Sequence, residues 1–156
     1  MNVVGESMVS SVLTVVAIDK FSAPSTLIKV SELGSLTSVH VEWSTVSAAP
    51  APGGDVLGYQ LEVYDASTGT RWIAFDGQEY GQPLKTSHTV YGLTTGKDYQ
   101  FSVAAISING IGEWLDPPET FYACTAPSQA EAPTRVTSTV DSITISWATP
   151  QENGGC

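Results

Sequence analysis

A run of alternating apolar and polar residues predicts a half-buried β-strand at residues 99–105. Its apolar members are spaced two residues apart, and they are Tyr99, Phe101, Val103 and Ala105. This is the period of a strand that turns one face toward a core. The tyrosine stands first, after a turn at 94–98 and a leucine at 93. We therefore expect its ring to pack inward and its hydroxyl to bind upstream backbone, as at the corner of a β-sandwich.

Short runs of this kind recur along the chain, separated by Gly, Pro, Asn, Asp and Ser, and no stretch sustains a helical period. The pattern predicts an all-β protein with seven strands, A to G with an edge strand C′ in the place of D. They are expected at 27–30, 39–44, 58–65, 71–75, 86–90, 99–105 and 120–125. The Ala-, Pro- and Gly-rich residues 47–54 suit neither strand nor helix, so they are expected to form a loop.

Self-similarity predicts that the chain contains parts of three repeats. Trp43 ends one apolar alternation and Trp147 ends another, at a separation of 104 residues (147 − 43), and a Gly-Gly pair follows each tryptophan. The residues Asn-Val-Val-Gly-Glu at 2–6 return as Asn-Gly-Ile-Gly-Glu at 109–113. Residues 1–21 are then the F–G loop and strand G of one repeat, 22–127 a complete domain, and 128–156 strands A and B of the next.

The apolar residues 8–18 have two interpretations. A secretory signal has a run of this kind after basic residues, but here Glu6 precedes it and no basic residue does. The repeat pattern instead makes this run strand G of the preceding repeat. Eleven residues are also too few to span a bilayer as a helix.

The order of these features resembles that of the fibronectin type III family. The resemblance is carried by the Pro24 lead-in, Trp43 in strand B, residues 58–63 (GYQLEV) in strand C, Leu93 with Tyr99, and residues 105–112 (AISINGIG) before strand G. It implies an immunoglobulin-like Greek-key β-sandwich in a tandem array, with sheets A-B-E and C′-C-F-G. The expected core residues are Trp43, Tyr59, Leu61, Val63, Leu93, Tyr99, Phe101, Val103 and Phe121.

Two related folds fit the sequence less well. The immunoglobulin alternative requires an inter-sheet cysteine pair, which the strands do not carry. The cadherin alternative requires clustered acidic calcium motifs between domains, and the linker 126–133 offers only Glu131. Cys124 corresponds to Ile18 of the preceding repeat, so it is expected to be a small buried apolar residue. Two cysteines do not make a disulfide framework, which leaves the role of Cys156 and the compartment open.

Charge limits the classes of partner. The chain has 16 acidic and 6 basic residues, a formal net charge of −10, and 42% hydrophobic residues. A globular protein of this sign repels phosphate backbones and anionic membrane surfaces. We expect no nucleic-acid partner and no direct membrane insertion. The expected partners are other proteins or neighbouring copies of the same array.

The sequence offers no pattern for catalysis. His40 lies beside Glu42 on the outward face of strand B, and His88 lies between Ser87 and Thr89. A histidine and a hydroxyl residue that are adjacent in a strand point to opposite faces, so the pair is not preset for proton transfer. There is no nucleophile elbow, no phosphate-binding loop and no metal-ligand spacing. We therefore expect a protein that is not an enzyme, with no catalytic, cofactor-binding or metal-binding residues and no cofactor.

The resemblance implies a non-catalytic spacer with a protein-binding or adhesion surface. The candidate contacts with a partner are Ile111, Glu113 and Trp114 in the F–G loop and Trp72 on the edge strand. The alternative for Trp114 is that it folds back over the sheet edge, and for Trp72 that it belongs to the core. The Arg-Gly-Asp tripeptide with which some family members bind integrins is missing from this loop.

Prolines bound both linkers, at 21–24 and 126–133, and should restrict bending between repeats. The first hypothesis is an extracellular, cell-surface or filament protein. The alternative is an intracellular cytoskeletal or ciliary scaffold, and a lesser one is a set of spacer domains in a carbohydrate-active enzyme.

Overall fold

The computed structural model describes residues 20–46 and 55–156, in which β-strands are the main regular elements. The strands of the sandwich are β1 (Leu27–Lys29), β2 (Ser38–Trp43), β3 (Gly58–Asp65), β4 (Thr70–Asp76), β5 (Ser87–Tyr91), β6 (Asp98–Ser107), β7 (Gly110–Ile111) and β8 (Glu119–Tyr122). One turn of 3₁₀ helix follows β1 at Ser31–Leu33. Two further strands, β9 (Thr134–Ser138) and β10 (Ile143–Ser146), form a C-terminal hairpin. The predicted strand at 8–18 and the predicted loop at 47–54 lie outside the described residues.

Two antiparallel sheets form the domain. One has the order β1-β2-β5, and the other has the order β4-β3-β6, with β7 and β8 both paired to β6. These are the predicted sheets A-B-E and C′-C-F-G, so the predicted all-β sandwich is confirmed. The predicted strand C coincides with β3, because its alternation of inward and outward residues is unbroken.

The inward residues of both sheets make one core. Of the nine predicted core residues, all are buried except Phe121, which is partly buried. Its ring packs tilted against that of Phe101, with ring centres 5.4 Å apart and planes at 47°. The expected corner is present: the backbone amide of Thr94 donates a hydrogen bond to the hydroxyl oxygen of Tyr99 at 3.0 Å. This bond fixes the β5–β6 turn against the start of β6.

The edge strand β4 carries a β-bulge at Ala74. Leu61 of β3 pairs with Phe75, whereas the next residue, Glu62, pairs with Ile73. The extra residue reverses the alternation, so Trp72 and Phe75 both face the core although they are three residues apart. Ile73 faces outward and is 45% exposed.

The last strand of the domain follows β6 in two parts. After β7, the amide of Gly112 donates to the carbonyl oxygen of Ala105 at 2.8 Å, and that of Leu115 to Val103 at 3.0 Å. Residues 116–118 interrupt the pairing, with a cis peptide bond before Pro117, and β8 resumes it opposite Phe101. The interruption leaves the side chain of Trp114 beside the outer face of the sheet.

The expectation for Cys124 was wrong. Cys124 is half-buried and forms a disulfide bond with Cys156, 32 residues later. The sulfur atoms do not link the two sheets, as in an immunoglobulin domain; they join the end of β8 to the segment after β10. The correspondence with Ile18 contains no information about a bonding partner as distant in the sequence as Cys156.

Candidate protein-interaction site

The F–G loop displays two of the predicted contact residues to solvent. Ile111 ends the short strand β7, opposite Ile106, and its side chain is 38% exposed. Glu113 is exposed as well, and its backbone amide donates to the carbonyl oxygen of Phe21 at 2.9 Å. The exposed side chain of Glu113 can therefore contact a partner, whereas its backbone amide attaches the F–G loop to Phe21 at the start of the domain.

Trp114 is half-buried and lines a shallow cavity of about 390 Å³ on the outer face of the C′-C-F-G sheet. The ring is not part of the core cluster. The structure thus places Trp114 between the two alternatives, over the sheet face but with part of its apolar surface exposed. The other lining residues are Glu62, Arg71, Ser102, Leu115, Asp116 and Pro118.

The wall of this cavity combines both charges with an aromatic ring. Arg71 forms a salt bridge with Glu62 across the β3–β4 pair, and its guanidinium carbon lies 4.8 Å from the ring centre of Tyr64. Ser102 donates from its hydroxyl to the carbonyl oxygen of Leu115 at 2.7 Å, which holds the loop on the sheet. An opening with one apolar ring and a paired Arg and Glu suits a side chain of a protein partner.

Trp72, the fourth predicted contact, lies against the core instead of at the surface. Its ring meets that of Tyr99 edge-on, with centroids 6.3 Å apart and planes at 83°, and it pairs with Val63 across the sheet. This position matches the core alternative. Ile73, which the prediction did not include, is the apolar residue that the same strand presents to solvent.

A salt bridge closes one end of the antiparallel pair of β3 and β6. Lys97 donates from Nζ to Oδ2 of Asp65 at 2.5 Å, and the same nitrogen lies 5.3 Å from the ring centre of Tyr99. The hydrogen bond from Lys97 holds the pKa of Asp65 well below its ordinary value, although desolvation opposes this, and further hydrogen bonds from Ser67 and Thr68 lower it more. The same hydrogen bond raises the pKa of Lys97.

The two histidines occupy the sheet β1-β2-β5. Nδ1 of His40 lies 2.7 Å from Oγ1 of Thr89 on the neighbouring strand, a cross-strand contact that inspection of sequence neighbours does not reveal. His88 stacks on Phe75, with ring centres 4.9 Å apart, and burial lowers its pKa, assisted by the charge of Lys85.

Two further observations concern the part of the chain that the structure describes. No three His, Cys, Asp or Glu side chains in residues 20–46 and 55–156 are grouped as a metal site. No helix in those residues is long and apolar enough to cross a membrane.

Comparison with known proteins gives a consistent family match. The model of the fibronectin type III domain matches residues 22–121. Neogenin of Rattus norvegicus is 32% identical over 130 residues, which cover 78% of this chain and 9% of neogenin. Myomesin-2 of Homo sapiens is 30% identical over 122 residues, which cover 76% of this chain and 8% of myomesin-2. The chain thus spans less than a tenth of either relative.

A solved structure shows the same fold. The sixth fibronectin type III domain of the human fibronectin type III domain containing protein 3 superposes with a TM-score of 0.52 at 19% identity. The superposition covers 75% of this chain and 98% of that domain.

Proposed function

Because this chain belongs to the fibronectin type III family, we propose that it is a segment of a longer tandem array that serves as a semi-rigid spacer and a protein-binding or adhesion surface. In this proposal, residues 22–127 are the complete domain. Residues 1–21 end the preceding repeat, and residues 128–156 begin the following one. The family match and the relatives support a structural and interaction module, typically without catalytic activity.

The observation that carries the proposal is the hairpin β9–β10. It repeats the antiparallel pairing of β1 with β2, and its apolar positions Ile143, Ile145 and Trp147 correspond to Val39, Val41 and Trp43. In the complete domain Trp43 is only 5% exposed, whereas Trp147 is 69% exposed. An apolar sheet face of this kind is stable in water when further strands cover it. We therefore assign the hairpin to strands A and B of a following repeat.

The entry of the chain into the domain supports the spacer role. Phe21 is buried in the core, and its carbonyl oxygen accepts the Glu113 amide. Gly112 approaches the same carbonyl so closely that an added Cβ would lie 2.7 Å from it. The linker from the preceding repeat is therefore attached to the sandwich from Phe21 onward, which limits the freedom between repeats to the residues before it.

The extent of the alignments with relatives also supports the proposal. Neogenin and myomesin-2 match 78% and 76% of the chain, more than the residues 22–121 that the domain model covers. This supports flanking sequence that belongs to an array.

The proposed binding surface is the F–G loop with the cavity beside it, formed by Ile111, Glu113 and Trp114 together with Glu62 and Arg71. The proposed partners are other proteins or neighbouring copies of the array. The disulfide bond between Cys124 and Cys156 favours the extracellular or cell-surface location over a cytoskeletal one, because disulfide bonds persist in oxidising compartments.

The proposal is tested by the mass of the native polypeptide. An antibody raised against residues 22–127 should detect, in a non-reduced extract of the source tissue, a protein several times larger than 156 residues. A band at the mass of 156 residues would contradict the tandem array.

A further inference from the structure

The C-terminal residues 152–156 lie against one end of the sandwich. This end, which we term the lower pole, is formed by Leu36 in the β1–β2 loop, Thr95 and Gly96 in the β5–β6 turn, and Cys124 after β8. Its own loops are joined, because Thr95 donates from Oγ1 to the carbonyl oxygen of Leu36 at 2.7 Å. Because this bond joins the two loops, the lower pole is one continuous surface.

Backbone hydrogen bonds align the C-terminal segment with the linker after β8. The Thr125 amide donates to the carbonyl oxygen of Gly154 at 3.0 Å, and the Ser128 amide to that of Glu152 at 2.9 Å. The Glu152 amide in turn donates to the hydroxyl oxygen of Ser128 at 3.1 Å. Together with the disulfide bond, these contacts hold the segment along its length.

The contact is close enough to require glycine. Gly154 and Gly155 both have φ of +80°, and a Cβ on Gly155 would lie 2.5 Å from Cγ2 of Thr95 and 3.0 Å from Cδ2 of Leu36. On the opposite side, a Cβ on Gly96 would lie 2.8 Å from the carbonyl oxygen of Gly155. Three glycines on two segments therefore permit the approach of one backbone to the other.

The position of this segment in the repeat pattern indicates which parts of the array are in contact. Gly154-Gly155 follow Trp147 as Gly53-Gly54 follow Trp43, which places residues 148–156 in the loop between strands B and C of the following repeat. This step rests on the proposed function. Cys124, by contrast, lies two residues after β8, the last strand of the complete domain. The disulfide bond therefore joins two consecutive repeats.

We propose that the lower pole is a docking surface for the B–C loop of the following repeat, and that Cys124–Cys156 is an interdomain disulfide bond that fixes the orientation of that repeat. Formation of the bond removes two protons and two electrons from the two thiols. A protein disulfide or glutathione disulfide, reduced to thiols in the exchange, accepts them. The prolines of the linker restrict bending, and the disulfide bond removes the remaining freedom.

Lys29 places Cys124 for this bond. Its Nζ donates to the carbonyl oxygens of Tyr122 at 2.7 Å and of Cys124 at 3.1 Å. The end of β8 is thereby fixed to β1 of the other sheet. The cysteine that receives the following repeat is thus attached to both sheets of the domain.

The first test locates the disulfide bond in the full chain, refolded with a glutathione redox buffer. Trypsin cleaves after Lys97 and Arg135, which separates Cys124 on peptide 98–135 from Cys156 on peptide 136–156. The expected product is one linked mass that dithiothreitol resolves into the two peptides. Recovery of the two peptides with free thiols, or as homodimers, would overturn the proposal.

The second test measures the rigidity of the hairpin by amide ¹⁵N relaxation of the same chain. In the oxidised protein, the order parameters of 134–146 should equal those of β3 and β6, about 0.85, whereas the Cys124→Ser/Cys156→Ser variant should give values below about 0.6. Unchanged amide shifts in β3 and β6 verify that the variant domain is folded. Values below about 0.6 in the oxidised protein, or no change in the variant, would overturn the proposal.

Glycine variants test the docking surface separately from the disulfide bond. Gly155→Ala should lower the hairpin order parameters, whereas Gly81→Ala, at a positive φ of +63° with nothing within 4 Å of the added Cβ, should not. Equal values in the two variants would overturn the docking surface.

A mobile hairpin in the oxidised protein would contradict the docking surface but not the tandem array, because the array is tested by the native mass. A 156-residue native mass with a rigid hairpin would instead remove the array and leave an intradomain brace.

Discussion

The hydroxyl oxygen of Tyr99 accepts a hydrogen bond from the backbone amide of Thr94 at 3.0 Å. The bond closes the turn between the two sheets, and the Tyr99 ring is buried beneath it. It therefore connects the strand at the centre of the larger sheet with the turn that belongs to the lower pole.

Tyr99→Phe removes this bond and leaves the ring in place. The free energy of unfolding should fall by about 1–2 kcal/mol, the value of a hydrogen bond whose remaining partner loses its acceptor. Urea unfolding followed by tryptophan fluorescence measures it. Tyr91→Phe is the matched control, because Tyr91 is exposed and 77% accessible. Equal stabilities of the two variants would contradict the role of the corner.

The salt bridge of Asp65 with Lys97 predicts the acid sensitivity of the domain. The pKa of Asp65 is lowered in the folded state, so its contribution is present above the ordinary value of 3.8 and is lost as pH falls through the folded value. The unfolding midpoint should therefore decrease between about pH 5 and pH 2.

Asp65→Asn should flatten this pH dependence and lower the midpoint at pH 7. Thermal unfolding at a series of pH values measures both effects. The control is Asp141→Asn, which changes an exposed carboxylate on the C-terminal hairpin. A wild-type slope retained in Asp65→Asn would show that other carboxylates cause the acid sensitivity, among them Asp76, whose pKa is also lowered.

Gly112→Ala tests the attachment of the incoming linker. The added Cβ would lie 2.7 Å from the carbonyl oxygen of Phe21 and 3.1 Å from that of Ala105, so Phe21 must move. We expect a loss of about 1–3 kcal/mol in the free energy of unfolding and faster exchange of the Glu113 amide. Glu113→Ala keeps the amide donor and removes only an exposed side chain, so it should be close to neutral.

The two tryptophans at the margins of the sheet should respond differently to truncation. Trp72→Ala removes a ring that packs on Tyr99 and the core, and it should cost about 3 kcal/mol or more of stability. Trp114 lines an open cavity outside the core, so Trp114→Ala should cost less and should instead weaken contact with a partner. Urea unfolding compares the stabilities. A larger loss for Trp114 would place it in the core and remove it from the proposed surface.

The strands were predictable because their residues alternate with few interruptions. The alternation at 58–65 predicts both ends of β3. Tyr99, placed directly after a turn, predicts the hydrogen bond at the corner. The orientation of Trp72 and Phe75 was not predictable in this way. Both face inward only because a bulge at Ala74 shifts the period, and the sequence has no mark for that bulge.

Contacts between distant segments were harder to predict than strands. Cys124 and Cys156 are separated by 32 positions in the sequence. Their bond depends on the path of the chain between them, and no periodic pattern encodes that path. The Gly-Gly pair at 154–155 belongs to the predicted repeat pattern, but its close approach to Thr95 requires the fold of the lower pole. Likewise, the Glu113 side chain suggested a surface contact, whereas its amide binds Phe21 in the structure.

The most direct test of the tandem array is small-angle X-ray scattering of the native protein, purified without reducing agent. Stiff consecutive repeats predict an elongated distance distribution. Its maximum dimension should be larger with the disulfide bonds intact than after their reduction by dithiothreitol. A compact distribution at the mass of 156 residues, unchanged by dithiothreitol, would contradict the account.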